Sequence, residues 1–393
     1  MSLFGKDVND VLSQISGAIE KSQEVENMAF LKDAEDQQDV IDVETAEEVE
    51  DEATEEDSIE ESSTDEDASE STGIYALLEE EIRDMDISDE EKAKKLKKLK
   101  KIKNQKVNIM LVGSTGSGKS STVNALFDMN VAKVGEGVDP ETQDIKEFQL
   151  SNLTVWDTPG LGDGVERDEE IADEILLKLQ EKDENGKQLI DMVVMIMDAS
   201  SKDLTNYYNI INNVLIPEFG VGARKRILIA LNQSDIAMKG THWDDEKNMP
   251  DKVLEDFLKK KAASVQARIK ENTGLDIKPV CYCAGYTEDG VQRKPYNLTK
   301  LLYYIVKAAP KAKRLNIAEN LNTDEDNWCF NDDDDYGSKV GKAFGDVIWS
   351  CISDGVDTGA DIGGEILGIP GKIIGGAIGG VVGAIGGLFE AIF

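Results

Sequence analysis

Apolar runs alternate with segments of helical periodicity through the middle of the chain. The runs are VNIMLV (107–112), LTVW (153–156), MVVMIM (192–197), ILIAL (227–231) and PVCYC (279–283). The helical segments are 119–127, 169–181, 204–215, 250–272 and 298–309. Strands that are apolar on both faces and alternate with helices are typical of an α/β fold with a buried, mainly parallel sheet. The pattern predicts one domain over 107–309, built on a mainly parallel sheet with helices between the strands.

The segments before this domain differ in composition. Residues 1–30 place apolar side chains at helical spacing, which predicts an amphipathic helix that docks on a protein or lies on a membrane surface. Residues 31–73 are acidic and nearly free of aromatics, which predicts a disordered spacer or, alternatively, an acidic decoy for a basic partner. Residues 75–106 predict a basic helix, either solvated and paired with the spacer or bound through Lys92–Lys106 to an anionic membrane.

The segments after the domain are less regular. Residues 310–354 predict a linker with helical parts. Residues 355–393 are glycine-rich and apolar, with 17 uncharged residues from Ile373 to Phe389 and glycine at every fourth position from Gly371 to Gly387. A stripe of small residues permits close helix packing in lipid, whereas each glycine costs about 1 kcal/mol in a helix in water. The spacing predicts a glycine-zipper tail that associates with a membrane, packs within the protein or an oligomer, or stays disordered.

Charge and composition exclude several classes of function. The chain has 43 Lys and Arg against 79 Asp and Glu, a formal charge of −36, which disfavours general binding to nucleic acids. A single histidine excludes a multi-histidine zinc site, and four cysteines give no disulfide framework. The first residues lack the apolar run of a secretory signal, so we expect a cytoplasmic protein, with peripheral membrane attachment as an option. Cys281 and Cys283 are expected to be buried strand residues, the alternative being a metal or redox site.

The most specific motif directly follows the first apolar run. The segment reads Gly113, Ser114, Thr115, Gly116, Ser117, Gly118, Lys119, Ser120 and Ser121. It fits G-x-x-x-x-G-K-[ST] between a strand and a helix, where glycines let backbone N–H groups and the helix N-terminus surround phosphates. Lys119 is expected to contact the β- and γ-phosphates, and the Ser120 hydroxyl to bind Mg²⁺. The motif therefore predicts a site for a nucleoside triphosphate and Mg²⁺.

Three more strand ends carry matching chemistry. Asp157, after the second run, is placed to hold Mg²⁺ through a water, and the Gly160 N–H to meet a γ-phosphate. After the fourth run, the Asp235 carboxylate is placed to accept N1–H and the 2-amino group of guanine, donors that adenine lacks, and Asn232 to tie this loop to the phosphate loop. After the fifth run, the Ala284 N–H is placed to donate to guanine O6. The base is therefore expected to be guanine.

The strings GSTGSGKSS, WDTPGLGDG and NQSD, in this order, resemble the P-loop small G-domain GTPases of the translation-factor-related class. The Era-like and the septin-like, immunity-associated types are the most similar. The resemblance covers roughly residues 105–310. It implies an α/β P-loop NTPase G domain, with a mainly parallel six-stranded sheet and helices on both faces, which binds GTP and GDP with Mg²⁺ and hydrolyses GTP. It also implies that Thr142 in the first switch loop closes on Mg²⁺ and the γ-phosphate, so that Lys119, Thr142 and Gly160 serve hydrolysis.

The chain departs from this class at several positions. Gln233 replaces the lysine that packs on the base, and Gly116 stands where potassium-activated members carry asparagine. Leu161 follows Gly160 in place of a glutamine that orients water, and no arginine lies between residues 121 and 150. Slow unassisted hydrolysis is therefore expected, with the missing charge supplied by a partner or by a second copy in a homodimer or oligomer.

A water-orienting role for Gln143 is the weaker alternative to a solvated loop residue. Three functions remain open: a GTP-hydrolysing switch, a GTP-binding membrane or assembly scaffold with incidental hydrolysis, and a ribosome- or RNA-associated GTPase.

Overall fold

The computed structural model describes residues 73–127, 144–288, 291–332 and 335–352. The amphipathic helix predicted over 1–30, nearly all of the acidic spacer, the glycine-zipper tail over 355–393, and Thr142 with Gln143 lie outside these residues.

A six-stranded sheet forms the centre of the described fold. The strands along the chain are β1 (Val107–Gly113), β2 (Lys146–Gln149), β3 (Leu153–Asp157), β4 (Met192–Asp198), β5 (Ile227–Asn232), β6 (Trp243–Asp244), β7 (Met249–Pro250), β8 (Val280–Cys281), β9 (Tyr286–Glu288) and β10 (Val291–Arg293). The order in the sheet is β2-β3-β1-β4-β5-β8, and β6–β7 and β9–β10 form separate hairpins. All pairs in the sheet are parallel except the edge strand β2, which runs antiparallel to β3. The predicted mainly parallel six-stranded sheet is confirmed.

Helices cover both faces of the sheet. They are α1 (Ile74–Asp84), α2 (Asp89–Lys103), α3 (Lys119–Leu126), α4 (Val165–Gln180), α5 (Thr205–Ile210), α6 (Ile216–Phe219), α7 (Ala223–Arg226), α8 (Lys252–Thr273), α9 (Leu298–Ala308), α10 (Arg314–Ala318) and α11 (Tyr336–Ile352), with a π-helical turn, Ile211–Leu215, between α5 and α6. One apolar core joins the sheet to α4, α5 and α8. The other joins it to α3 and α9, and to α1, α2, α10 and α11 beyond them. The α/β class with helices on both faces is thus confirmed.

The basic helix predicted over 75–106 is two helices, α1 and α2. A bend at residues 85–87 separates them, and Ser88 begins α2. The Ser88 hydroxyl accepts the Glu91 N–H at 3.2 Å while the Glu91 carboxylate accepts the Ser88 N–H at 3.0 Å, a capping box that fixes a helix start. The lysines between residues 92 and 106 all follow this start, and they lie on α2 or, for Lys106, in the short turn after it. Leu99 and Ile102 of α2 are buried against the core, so this helix is anchored to the domain.

The segment predicted as a linker over 310–354 packs on the domain through α10 and α11. Asn322 lies between these helices and caps the end of α3. Its N–H donates to Leu126 O and its Nδ2 to Asn124 O, both at 2.9 Å, which satisfies carbonyls that a helix end leaves without partners. The buried Trp328 indole in turn donates to Asn322 O at 2.9 Å. Within the part of the chain described, no helix combines the length and the apolar character needed to cross a membrane.

The fully buried Asn316 side chain gives a test of how the outer helices are held. Its Oδ1 accepts the Tyr75 hydroxyl at 2.5 Å, and its Nδ2 donates to Ile102 O at 3.2 Å and to Gln105 O. We expect Asn316→Ala to lower the free energy of unfolding by about 3 kcal/mol in urea titrations, because it removes three buried hydrogen bonds that join α10 to α1 and to the end of α2. Tyr75→Phe removes one of these bonds and should cost about 1 kcal/mol. Equal stability of Asn316→Ala and the wild type would contradict this account.

Candidate functional site

The loop between β1 and α3 has the conformation that its glycines permit. Gly116 and Gly118 have φ of 74° and 87°, in the left-handed region that side chains with a Cβ disfavour. A Cβ on Gly118 would also lie 2.2 Å from Asn232 Nδ2. Gly118 is the residue before the first turn of α3, and the N–H groups at a helix N-terminus can donate to an anion. Within the loop, the Ser114, Thr115 and Ser117 N–H groups donate to Tyr207 Oη, Leu161 O and Ser114 O, respectively. The glycine conformations and the helix start fit the anion site predicted over Ser114–Ser121, which stays a prediction.

Lys119 is buried and folded along this loop. Its Nζ donates to Gly113 O at 3.0 Å and to Ser114 O at 3.4 Å. Burial lowers the pKa of Lys119, and the nearby Asp157 carboxylate opposes that shift. The ammonium is therefore held at the loop by carbonyl contacts that phosphate oxygens can replace with stronger, charge-assisted ones.

Asp157 and Ser120 form a pair of oxygen ligands beside the loop. The Ser120 hydroxyl donates to Asp157 Oδ2 at 3.1 Å. Asp157 is buried at the end of β3, its Oδ1 has no hydrogen-bond partner in the described structure, and burial raises the pKa of this carboxyl. Mg²⁺ typically takes one or two protein oxygens together with phosphate and water, so the orphaned carboxylate oxygen and the hydroxyl fit this ion. When bound, Mg²⁺ supplies positive charge to the phosphates; Thr142, its third predicted ligand, lies outside the described residues.

The loop that follows Asp157 lies directly on the phosphate loop. The Leu161 N–H donates to Gly113 O at 3.1 Å and the Thr115 N–H to Leu161 O at 3.2 Å. Gly160 lies so close that a Cβ on it would be 2.1 Å from Thr115 Oγ1. The structure thus brings Gly160 to the phosphate loop, where its predicted role requires it. Leu161 is buried in the core, so its side chain is not available to orient water.

The predicted guanine-reading residues meet at the other end of the loop. Asn232 Nδ2 donates to Ser117 O at 2.9 Å, and its Oδ1 accepts the Ala284 N–H at 3.0 Å. Asp235 is buried three residues further on. In the structure the Ala284 N–H is thus engaged with Asn232, a different partner from the guanine O6 expected for it. Its contact with guanine stays a prediction.

Two further contacts to the loop were not anticipated from the sequence. Gln233 has a φ of 60° and donates from Nε2 to Gly116 O at 2.9 Å, so the residue that replaces a base-packing lysine is tied to the phosphate loop. The fully buried Tyr282 hydroxyl lies 2.6 Å from Thr122 Oγ1, which itself donates to Gly118 O at 2.7 Å. Both contacts connect strands at the guanine end to the loop and α3.

Tyr207 and Asn206 of α5 also reach the site, through Ser114 and Asp168 respectively. In the sequence Tyr207 has the apolar periodicity of a core residue, and no motif points to either side chain.

The two strand cysteines have the character of inert core residues. Cys283 is buried, and burial raises the pKa of Cys281 to about 12, so the thiol stays protonated at neutral pH. No group of three or more His, Cys, Asp or Glu side chains in the described residues could hold a metal ion. The burial of Cys283 and the raised pKa of Cys281 favour the buried-strand interpretation.

Comparison with known proteins supports the phosphate-loop half of the site. Residues 108–233 match the family model described as 50S ribosome-binding GTPase, which supports a P-loop GTPase domain and ends two residues before Asp235. The Fe(2+) transporter FeoB of Campylobacter jejuni is 28% identical over 182 residues, which are 45% of this chain and 26% of the transporter. The uncharacterized protein YfjP of Escherichia coli is 30% identical over 133 residues, 33% of this chain and 42% of YfjP. The match thus spans less than half the length of either relative.

Solved structures with a similar arrangement include Toc33 from Arabidopsis thaliana, a dimerization-deficient mutant. It has a TM-score of 0.38 and 16% identity, covering 60% of this chain and 97% of Toc33. The FeoB G-domain from Methanococcus jannaschii has a TM-score of 0.28 and 23% identity, covering 52% of this chain and 98% of that domain.

A matched pair of glycine variants tests the phosphate loop. Gly118→Ala should weaken binding of GDP and GTP on the order of 100-fold or more. The added Cβ would collide with Asn232 Nδ2, and alanine disfavours the positive φ of this position. Gly186→Ala is the control, since Gly186 has a φ of 73° in a distant turn with no atom within 4 Å of the added Cβ. It carries similar backbone strain and should leave binding unchanged. Isothermal titration of both proteins, with melting temperatures alongside, makes the comparison, and similar affinities for the two variants would contradict the assignment.

Proposed function

We propose that this chain binds GTP with Mg²⁺, hydrolyses it to GDP and phosphate, and acts as a nucleotide-dependent switch. We propose further that it belongs to the translation-factor-related class and is similar to the Era-like and the septin-like, immunity-associated types. The observation that carries the proposal is the pair of hydrogen bonds made by the Asn232 amide, whose Nδ2 donates to Ser117 O and whose Oδ1 accepts the Ala284 N–H. They join the phosphate loop to the two strand ends whose chemistry suits guanine. The match of residues 108–233 to a GTPase family model supports it independently.

Each group has a distinct role in this proposal. The loop N–H groups and Lys119 hold the phosphates, and Ser120 and Asp157 hold Mg²⁺. The Gly160 N–H and Thr142 respond to the γ-phosphate, and their loss of contact after hydrolysis is the switch. Asp235 selects guanine.

Hydrolysis by the isolated chain is proposed to be slow. The buried Leu161 side chain has no polar group that could orient a water molecule. Arg167 lies on α4, after the loop of residues 158–164, which we call the Gly160 loop. Its guanidinium forms ion pairs with Glu170 at 2.9 Å and with Glu174 at 3.6 Å. A partner or a second copy would supply the charge that speeds phosphoryl transfer by about 10³–10⁵. Measuring GTP turnover per molecule at several protein concentrations tests this point, since turnover that rises with concentration indicates self-activation.

Asp235→Asn provides the sharpest test of guanine recognition. Xanthine carries an oxygen where guanine carries the 2-amino group, and an asparagine amide can donate to that oxygen while accepting N1–H. We expect Asp235→Asn to lose affinity for GTP on the order of 100-fold and to prefer XTP over GTP, whereas the wild type prefers GTP over both XTP and ATP. Competition against a fluorescent GTP analogue measures all three. ATP competing as well as GTP for the wild-type site would contradict the assignment.

A membrane-associated role is the second part of the proposal, in a cytoplasmic protein attached peripherally to the membrane. Lys98 Nζ donates to Ser350 O near the end of α11, so the basic helix α2 lies beside the point from which the chain continues toward the glycine-rich tail. Lys94, Lys97 and Lys101 are exposed along α2. Near an anionic leaflet each such lysine contributes about 1 kcal/mol, and the uncharged part of the tail would add apolar contact.

Flotation of the full chain with anionic vesicles tests this role. Changing Lys94, Lys97 and Lys101 to Glu should reduce the floated fraction severalfold, whereas changing the exposed Lys182, Lys187 and Lys225 to Glu alters the net charge equally and should have little effect. Removing residues 355–393 should abolish flotation. If neither the α2 substitutions nor the deletion changes flotation, the membrane role is wrong.

A further inference from the structure

The buried Tyr207 hydroxyl contacts Ser114, near the start of the phosphate loop. It accepts the Ser114 N–H at 3.0 Å, donates to Ile196 O at 3.0 Å and lies 2.9 Å from Ser114 Oγ. A phenol has one hydrogen, so the Ser114 hydroxyl must be the donor in the third contact. Burial raises the pKa of Tyr207, which keeps the phenol protonated as its bond to Ile196 O requires. The hydroxyl thus uses its full hydrogen-bonding capacity on the loop and on β4.

This hydroxyl lies where the pairing of β1 with β4 stops. The last paired residues are Gly113 and Ile196. The Tyr207 hydroxyl accepts the N–H of Ser114, the residue after β1, and donates to the Ile196 carbonyl of β4. On the opposite side of the same segment, the Thr115 N–H donates to Leu161 O. The first half of the phosphate loop is therefore held on one side by Tyr207 and on the other by the loop that carries Gly160.

Asn206, the residue before Tyr207 on α5, is linked to the Gly160 loop through Asp168. Asn206 Nδ2 donates to Asp168 Oδ2 at 2.6 Å, and Asp168 Oδ1 accepts the Gly162 N–H at 2.8 Å. Asp168 lies in the first turn of α4, so this contact connects α5 to the start of α4 as well as to the loop. Two consecutive side chains of α5 thus reach the two segments that meet at Gly160.

We propose that Asn206 and Tyr207 are positioning residues that set the separation between the phosphate loop and the Gly160 loop, and thereby the geometry at the γ-phosphate. The inference rests on the proposed GTPase function and adds a pair of residues to it. Neither side chain has a hydrogen bond to Lys119 or Asp235 in the described structure, although Tyr207 and the Lys119 ammonium both contact Ser114, at its N–H and at its carbonyl. Because both side chains contact segments that flank Gly160, the pair is expected to act mainly on the step that distinguishes GTP from GDP.

The test uses the full chain and three single variants. Tyr207→Phe removes the hydroxyl and leaves the ring, and Asn206→Ala removes the link to Asp168. Asn212→Ala is the control: Asn212 lies in the adjoining π-helical turn and donates to Asn272 O at 3.1 Å, away from both loops. We expect Tyr207→Phe and Asn206→Ala each to lower kcat for GTP about tenfold while their affinity for GDP stays within about threefold of the wild type. Asn212→Ala should leave both quantities unchanged.

The outcomes separate positioning from a merely structural role. Melting temperatures identify a variant that fails to fold; Asn206 lies nearer the surface, so its variant decides the question if Tyr207→Phe does not fold. An unchanged kcat in folded Asn206→Ala and Tyr207→Phe would overturn the inference, and so would a parallel loss of GDP affinity, which indicates general loosening of the loop. Failure of the wild type to hydrolyse GTP would overturn the proposed function instead, and this inference with it.

Discussion

The buried amide of Asn232 joins the phosphate loop to the end of the sheet that is proposed to recognise the base. Its donor and its acceptor are both used, on Ser117 O and the Ala284 N–H. A buried amide with either group unpaired would cost about 1–3 kcal/mol, so the two loops and β5 are fixed together or not at all. The close approach requires Gly118, because no side chain fits between the loop and Asn232. Loop conformation, helix start and base recognition therefore depend on one contact.

Helix α3 connects the phosphate loop, at its N-terminus, to the segment between α10 and α11, at its C-terminus. Its N-terminus follows Gly118, and its C-terminal carbonyls are capped by Asn322 from the segment between α10 and α11. Phe127, just after α3, pairs with Leu321 of the same segment. The segment between α10 and α11 thus contacts the helix that begins at the phosphate loop, and α11 in turn contacts the basic helix α2 through the hydrogen bond from Lys98 to Ser350 O.

The sequence predicted those parts of the fold that depend on local patterns. Five buried strands appear in the sequence as apolar runs. The turn of the phosphate loop requires glycine where φ is positive, at Gly116 and Gly118, and this requirement is visible as the spacing of the motif. The edge strand β2, with the sequence KEFQ, was missed because its mostly exposed side chains give no such pattern. The break between α1 and α2 depends on a capping box, and the role of Tyr207 depends on a partner 93 residues away. Contacts of this kind are set by tertiary packing, which periodicity does not report.

The charges of the pocket explain how an acidic chain can bind a polyphosphate. The 20 acidic residues of segment 33–70 account for much of the formal charge of −36, so the net charge of the chain says little about the charges at the pocket. Inside the pocket, burial lowers the pKa of Lys119 and raises that of Asp157, so each charge is disfavoured there. Phosphate oxygens compensate the ammonium and Mg²⁺ compensates the carboxylate. Because a nucleotide with Mg²⁺ would relieve both penalties only in the folded state, its binding free energy would add to the stability of the folded protein.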